Sequence, residues 1–420
     1  MKRKNILFSS AVLLFSLVLF ACSSLLPPEE EVVAGEYGSP LTSQEHQVRT
    51  FEALWTNLQE NYIYFESADV DWDSLHDQYT NRINSGLTNQ EFVALLNELE
   101  ADLPEGSILY QSRAERVEND SADTSTYGGI GAYIGFQPEP EPHIVILAVM
   151  KGSPAEKAGL KAHDSLYKID GSPILLDEGL NAVQRVRGPA GTSVELIVKS
   201  PGEAERTVTV TRAQLTSTGQ LEAYQVAGTN YGYILFPPIA YASLMDDVVN
   251  SLRAFTSNKT LDGLILDFRI TGSSGTWPLE EMFTLFHNGK IGEFFNRTQS
   301  QPAQITGQDF FGSQKVPLVI LVGENTSGFP EILAASLQAY DRATIIGDTT
   351  PGSIETTTAY FLPDGSRVFI QTTSFRIEGG GDLGNNGVQP DVRVEAGWDE
   401  VLPENDPVLD KAIEVLEAQQ

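Results

Sequence analysis

The stretch "VPLVILVGENTSGFPEILAASLQ", residues 316–338, decides the fold. Its apolar run at 318–322 predicts a strand buried on both faces, as in parallel sheets. A short turn follows, and Pro330 opens an apolar stretch that predicts a helix. A strand–turn–helix unit of this kind often carries a catalytic nucleophile on its turn. Ser327 is therefore the candidate nucleophile.

The same alternation of strands and helices recurs over residues 213–420. "YGYILFPPI", "LDGLILDFR" and "RATIIGD" predict strands, whereas "YASLMDDVVNSLRAF", "LEEMFTLFHNG" and "DPVLDKAIEVLEAQ" predict helices. We therefore expect an α/β domain with a mostly parallel sheet covered by helices. A hairpin is predicted around residues 363–365, "PDG".

Residues 125–212 lack this alternation of strands and helices and instead have short β-rich runs between Gly and Pro turns. In "KGSPAEKAGLKAHDSLYKIDG", residues 151–171, Ser153 is placed to cap a helix that starts at Pro154. This motif and "RGPAGTSVELIV", residues 187–198, resemble a PDZ domain of the kind embedded in bacterial peptidases. His163 departs from the pattern, which usually has glycine before the aspartate.

The segment "GGIG", residues 128–131, lies where PDZ domains keep their carboxylate-binding loop. The resemblance implies peptide binding at Gly129, Ile130, Gly131 and Ala132. Successive backbone N–H groups in such a turn can hold an anion, and the following strand "AYIGF" offers an edge for an added peptide strand. Taken alone, the four residues are a simple turn.

The N-terminus predicts a targeting segment over residues 1–22. "MKRK" and the apolar run that follows are typical of a signal peptide, and "LVLFACSS" resembles a bacterial lipoprotein cleavage site. Cys22 would then carry the lipid and anchor the protein to a membrane of the bacterial cell envelope, outside the cytoplasm. A plain signal peptide and an uncleaved anchor are the alternatives. Residues 23–45 predict a flexible tether.

Residues 46–112 predict a small helical region, with a capping box formed by Thr88 and Glu91.

The chain carries a net charge of −30, which argues against nucleic acid as a partner. Its single cysteine excludes an intrachain disulfide and cysteine-ligated metal sites. No motif predicts a metal or a cofactor.

The order of these parts resembles the C-terminal processing (tail-specific) serine peptidases from about residue 46 onward. Their nucleophile turn, similar to "VNEGSASASEI", aligns without gaps on "VGENTSGFPEI", residues 322–332. The nucleophile position then falls on Gly328, with Ser327 one residue earlier. Their lysine motif, similar to "TFGKGSVQTVFPLPDG", aligns on residues 350–365 and places Ser353 at the lysine and Thr357 at the glutamine.

Other positions depart as well. The oxyanion strand, similar to "DLRNNPGG", becomes "DFRITGSSG", residues 267–275: Asp267 and Arg269 match, whereas the glycine pair falls on Ser273 and Ser274. The related tricorn-like branch uses a histidine and a glutamate as catalytic partners of the serine instead of the lysine. In this chain those two positions hold Gly106 and Gly384.

Three hypotheses follow. The first is a peptidase homologue that binds protein C-termini or unstructured peptides and has lost efficient hydrolysis. The second is an active endopeptidase with a rearranged site that uses Ser327; Glu331 and Glu355 are the nearest carboxylates in sequence, and we expect both to be solvated. The third, suggested by a retinoid-binding relative of these proteases, is a small apolar ligand in the cleft.

Overall fold

The structure is a computed structural model that describes residues 43–117, 127–215, 221–272, 277–378, 383–384, 386–402 and 405–420. The predicted lipid attachment at Cys22 lies outside these ranges, as do Ser273 and Ser274. Within them, no helix has both the length and the apolar content that crossing a membrane requires.

The N-terminal part comprises helices α1 (Ser43–Asn61), α2 (Trp72–Asn84) and α3 (Asn89–Asp102), followed by strand β1 (Ile108–Gln111). The capping box predicted for α3 is present: the Thr88 hydroxyl accepts from the Glu91 N–H, and the Glu91 carboxylate accepts from the Thr88 N–H. The tether was predicted to reach residue 45, but α1 begins at Ser43. The Ser43 hydroxyl donates to Asn89 Oδ1, which ties this first turn to α3.

The central part is the β-rich domain expected from the PDZ-like motifs. Its elements are β2 (Tyr127–Gly129), β3 (Ala132–Gln137), β4 (His143–Val149), α4 (Pro154–Lys157), β5 (Ser165–Ile169), β6 (Ser172–Pro173), the 3-10 helix Gly179–Arg185, β7 (Ser193–Lys199), β8 (Arg206–Thr211) and β9 (Ala213–Leu215).

The strand order of this domain is β3-β4-β5-β7-β8, so β3 lies at an edge as predicted. The Ser153 cap of α4 is also confirmed. The predicted end at residue 212 is too early, because β9 pairs with β2 and continues the domain to Leu215.

The C-terminal part contains β10 (Glu222–Gln225), β11 (Tyr231–Leu235), α5 (Leu244–Phe255), β12 (Gly263–Asp267), α6 (Leu279–Phe286), β13 (Gly289–Phe295), β14 (Ser300–Ile305), β15 (Leu318–Val322), α7 (Phe329–Ala339), β16 (Thr344–Gly347), β17 (Thr356–Phe361), β18 (Arg367–Ile377), β19 (Val392–Arg393) and α8 (Pro407–Ala418).

The main sheet has the order β10-β11-β12-β15-β16-β19 and is parallel from β11 to β19. All residues of β12 and β15 are buried. Helices α5, α6 and α7 cover one face, and α8 covers the other. The predicted parallel sheet between layers of helices is confirmed.

A second sheet joins the N-terminal helices to the C-terminal part. Its order is β1-β18-β13-β14, and β17 also pairs with β18. The hairpin predicted around residues 363–365 is therefore confirmed as β17–β18. The region 46–112 is not entirely helical as predicted, because β1 pairs along its whole length with β18. That pairing places Ile108 and Ile370 in one apolar core with the helices.

Candidate functional site

The turn after β15 is fixed by Thr326. Its buried hydroxyl donates to the Phe268 carbonyl at 2.9 Å and accepts from the Gly323 N–H at 3.0 Å. The Ser327 N–H then donates to the Thr271 carbonyl at 3.2 Å. The turn is thus bonded to the end of β12, the strand that leads into the predicted oxyanion segment.

Ser327 lines a cleft, and its side chain is half-buried. Its hydroxyl lies beside Gly272: a Cβ atom built on that glycine would be 3.2 Å from the Ser327 Oγ. Among the described residues, no histidine, lysine or carboxylate lies within hydrogen-bond distance of this hydroxyl. A serine hydroxyl needs an adjacent base to become a nucleophile, and here the described part of the chain supplies none.

Gly328 has the unusual backbone of the turn, with φ 70° and ψ −127°. L-residues other than glycine rarely adopt this conformation. In hydrolases with a nucleophile on a strand-to-helix turn, the nucleophile itself occupies the strained position. Here that position holds a residue without a side chain.

Glu331 is fully buried, although a solvated charge was expected. The Gly328 N–H donates to its Oε2 at 2.9 Å, and the Gly352 N–H donates to its Oε1 at 2.6 Å. The Thr350 hydroxyl donates to the same carboxylate, and the Ser353 backbone lies beside it. Burial raises the pKa of Glu331, and these hydrogen bonds offset the rise only in part. The expectation of solvation was wrong because α7 packs this side chain against the 350–353 loop.

Glu331 therefore joins the two segments to which the sequence alignment assigned the nucleophile and the lysine. The Gly328 N–H donates to this carboxylate and the Ser353 backbone lies beside it, whereas the Ser353 side chain is exposed. An exposed serine hydroxyl cannot replace a buried neutral lysine as a base. Neither Gly328 nor the exposed Ser353 side chain can therefore act as a general base.

Glu355 is also not a free surface charge. Its Oε1 accepts from the Tyr64 hydroxyl at 2.7 Å and from the Ser374 hydroxyl at 3.3 Å. The carboxylate thus bridges the N-terminal helices and β18, which is a structural role.

The residues at the histidine-branch positions also lack the required chemistry. Gly106 has φ 73°, and a Cβ atom there would lie 3.1 Å from Gln371 Nε2. Ser107 beside it is fully buried, and its carbonyl accepts from the Gln371 N–H. Among the described residues, no group of three or more His, Cys, Asp or Glu side chains could hold a metal ion.

Asp267 and Arg269, which match the peptidase pattern, form a buried ion cluster. Arg269 donates to Asp267 and, at 2.6 Å, to Asp406 at the start of α8. Burial alone would lower the pKa of Arg269, but the two carboxylates raise it above its usual value. Tyr233 donates to Asp267 at 2.7 Å. Removing one partner of such a buried cluster lowers the free energy of unfolding by about 3–5 kcal/mol. The cluster therefore holds the carboxyl ends of β11 and β12 in place.

In the predicted peptide-binding loop, the Ile130 carbonyl accepts from the Ala155 N–H and the Gly131 carbonyl accepts from the Met150 N–H. The C=O and N–H of one trans peptide unit point in opposite directions. The N–H groups of Gly131 and Ala132 therefore point away from those donors. Gly131 has φ 82°, and a Cβ atom there would lie 2.4 Å from Ser153 Cβ, so only glycine fits.

A cavity of about 50 Å³ opens beside this loop. Its apolar lining combines β3 and β4 with the end of the 3-10 helix, including Ile134, Ile146, Val183, Val186 and Leu215. We call this the PDZ cavity. An aliphatic side chain next to a carboxylate suits its size and chemistry.

A second cavity, of about 560 Å³, lies between β3, the 3-10 helix and the C-terminal part. We call it the interdomain cleft. Ile239, Ile270, Gly272 and Ser327 form its wall on the side of the main sheet. Strand β3 of the PDZ domain and the turn that carries Ser327 thus line the same cleft.

The sequence did not reveal the contact that joins the two domains. Trp398 stacks on His163 with ring centroids 4.2 Å apart and donates from Nε1 to the Leu147 carbonyl at 3.2 Å. His163 has φ 73°, which explains why PDZ domains prefer glycine there. Its Nδ1 bonds the Trp398 carbonyl at 2.6 Å. The substitution of that glycine was the only signal of this contact in the sequence.

Comparison with known proteins gives three family matches. Residues 230–394 match peptidase family S41, residues 44–101 match the tricorn protease C1 domain, and residues 145–200 match the PDZ domain. The carboxyl-terminal-processing protease of Synechocystis is 28% identical over 373 residues, which are 87% of this chain and 84% of that protein.

The protein of the same name from Picosynechococcus is 30% identical over 281 residues, 64% of this chain and 66% of the relative. The solved photosystem II D1 C-terminal processing protease has the same fold, with a TM-score of 0.64 at 22% identity over 90% of this chain and 98% of that one. The chain therefore belongs to the C-terminal processing serine peptidase family, with an embedded PDZ domain.

Proposed function

We propose that this chain is a lipid-anchored, extracytoplasmic homologue of the tail-specific peptidases that binds protein C-termini or extended peptides and hydrolyses them weakly or not at all. The proposed loss of hydrolysis rests on two residues, Gly328 and Ser353. Both lie beside the buried Glu331 carboxylate, and neither provides a nucleophile or a buried amine.

Peptide binding is supported by three features of the PDZ domain. These are the outward N–H groups of Gly131 and Ala132, the edge of β3 with which no strand pairs in the described part of the chain, and the apolar PDZ cavity. Together they provide a site for a carboxylate, backbone hydrogen bonds and an apolar side chain.

Hydrolysis is tested by incubating the purified full-length protein with an unstructured protein substrate. We expect no cleavage above background. Cleavage that disappears in the Ser327→Ala variant would overturn the proposed loss of activity and identify Ser327 as the nucleophile.

Binding is tested by fluorescence anisotropy with a labelled peptide that ends in an aliphatic residue. The matched control is the same peptide with an amidated C-terminus. We expect the free acid to bind at least about tenfold more tightly, because charge-assisted hydrogen bonds are stronger than neutral ones. Equal affinities would exclude recognition of the carboxylate.

The proposed anchor is tested by fractionating bacterial cells that express the Cys22→Ser variant. We expect the unaltered chain in the membrane fraction and the variant outside it, because the thiol is the only attachment point for the lipid. Retention of the variant would support an uncleaved hydrophobic anchor.

A second candidate function is an active endopeptidase with Ser327 as nucleophile. The exposure of Ser327 to the interdomain cleft beside Gly272 favours it. Covalent labelling of Ser327 by a fluorophosphonate probe would support this function. Absence of labelling in a sample that binds peptide would refute it.

A further inference from the structure

Strand β3 lies between the two cavities described above. Ala132, Ile134, Met150, Val183 and Arg187 line both the PDZ cavity and the interdomain cleft, so the two cavities adjoin each other. A peptide strand added to the edge of β3 would therefore contact both.

The two faces of β3 have different neighbours. Ile134 and Phe136 pack against the PDZ core. The alternate residues face the C-terminal part: Tyr133 packs with Ile270, and a Cβ atom on Gly135 would lie 2.5 Å from Asn325 Oδ1. Gln137 donates to the Glu324 carboxylate. The segment that precedes Ser327 thus supports one face of β3, and among the described residues no strand pairs with the outer edge of β3.

This arrangement fixes the direction of a bound peptide. A carboxylate held by Gly131 and Ala132 lies at the start of β3, so the rest of the peptide must run antiparallel to that strand. Successive side chains of a strand point to opposite faces. With the last side chain in the PDZ cavity, the penultimate side chain must point towards the interdomain cleft.

We propose that the groove is composite, and that the wall formed by Pro238, Ile239 and Ile270 beside Ser327 selects an apolar penultimate residue. This inference rests on the proposed binding of C-termini and names their class: tails with aliphatic side chains at both of the last two positions. The former nucleophile turn would then serve as part of a binding surface.

The chemistry of the wall supports this choice. Ile239 is 47% exposed and follows two prolines, which hold it at the cleft without burying it in the core. Ile270 is buried behind it and gives the wall an apolar floor. Glu324 and Arg187 also line the cleft, so its charges are mixed, whereas the wall beside Ser327 is apolar.

The test uses anisotropy titrations of the full-length protein with three peptides that end in valine and differ only at the penultimate position: leucine, glycine or aspartate. We expect leucine to bind about tenfold more tightly than glycine, as burial of an aliphatic side chain predicts, and aspartate to gain no such affinity over glycine. This series needs no variant of the protein.

The Ile239→Asp variant then tests whether the preference for a penultimate leucine depends on the proposed wall. It should lose about tenfold in affinity for the leucine peptide and retain its affinity for the glycine peptide, which also shows that the variant is folded. The control Leu176→Asp changes a residue that is 63% exposed and lines neither cavity, and it should alter neither affinity.

The outcomes separate the two proposals. If all three peptides bind equally, or if Ile239→Asp has no effect on the leucine peptide, the composite wall is wrong while recognition of C-termini stands. If no peptide with a free carboxylate binds, the proposed function itself fails.

Discussion

At the scale of single residues, Glu331 changes the interpretation of the site most. In the sequence it is one of 57 acidic residues, and its neighbours along the chain do not reveal its burial. Its hydrogen-bond donors at Thr350 and Gly352 come from a loop that only the tertiary fold brings close. The alignment located the two substituted positions, but it could not show that one carboxylate ties them together.

Replacing Glu331 by glutamine should lower the free energy of unfolding by about 1–3 kcal/mol. The amide NH2 would face backbone N–H donors and leave one of them unpaired. Chemical denaturation checks this result, with exposed Glu60→Gln as the matched control. Equal stability of both variants would show that the buried hydrogen bonds contribute little.

Replacing Gly328 by alanine should cost on the order of 1–3 kcal/mol, because a Cβ atom is strained at φ 70° and ψ −127°. Gly323→Ala in the same turn is the control, since its Cβ would lie 3.8 Å from the nearest atom, an ordinary contact. The midpoints of thermal unfolding compare the two. An alanine tolerated at 328 as well as at 323 would contradict the strained backbone.

At the scale of elements, the sequence predicted those strands and helices that carry a periodic or continuous apolar pattern. The strands β12 and β15 and the helix α7 are of this kind, because burial on both faces requires uninterrupted apolar residues. The sequence did not predict β1 or the short 3-10 helix Trp398–Glu400. Each is held in place by residues that are distant in the sequence, so no local sequence pattern predicts it.

The pair His143–Asp399 gives a pH-dependent contact between β4 and that 3-10 helix. His143 bonds the Asp399 carboxylate at 2.9 Å and the Glu141 carbonyl at 2.8 Å, so both ring nitrogens face acceptors. Burial opposes the charged form, but these acceptors outweigh it and raise the pKa of His143. Its contribution to stability is complete below the unfolded-state pKa, about 6.5, and is lost as the pH rises through the folded-state pKa.

We therefore expect the free energy of unfolding to fall as the pH rises from about 6.5. The His143→Gln variant should lose this slope, whereas exposed His46→Gln should keep it. Denaturant titrations at several pH values measure both. An unchanged slope in His143→Gln would assign the pH dependence to other groups.

At the scale of the whole molecule, Trp398 joins the PDZ domain to the main sheet. Its ring lies between His163 of the PDZ domain and the Arg269 guanidinium, whose carbon is 5.1 Å from the ring centroid. The residues next to Trp398 in the sequence do not indicate which side chains it contacts. The arrangement of the two domains therefore could not be predicted from the sequence, although each domain could.

The Trp398→Ala variant should loosen the PDZ domain without unfolding it, since the PDZ core has its own apolar cluster. Hydrogen exchange should rise at β4, where Leu147 loses its donor, and remain unchanged in β7 and β8. Phe361→Ala, at a residue 68% exposed, is the control. Uniform deprotection of the chain would indicate global destabilisation.

The contact between His143 and Asp399 spans 256 residues of sequence. At a synthesis rate of about 5–20 residues per second, Asp399 would be added some tens of seconds after His143. During that interval the PDZ domain lacks its contact with the 3-10 helix Trp398–Glu400. We therefore expect the orientation of the PDZ domain relative to the main sheet to be fixed only after the C-terminal part has been synthesised.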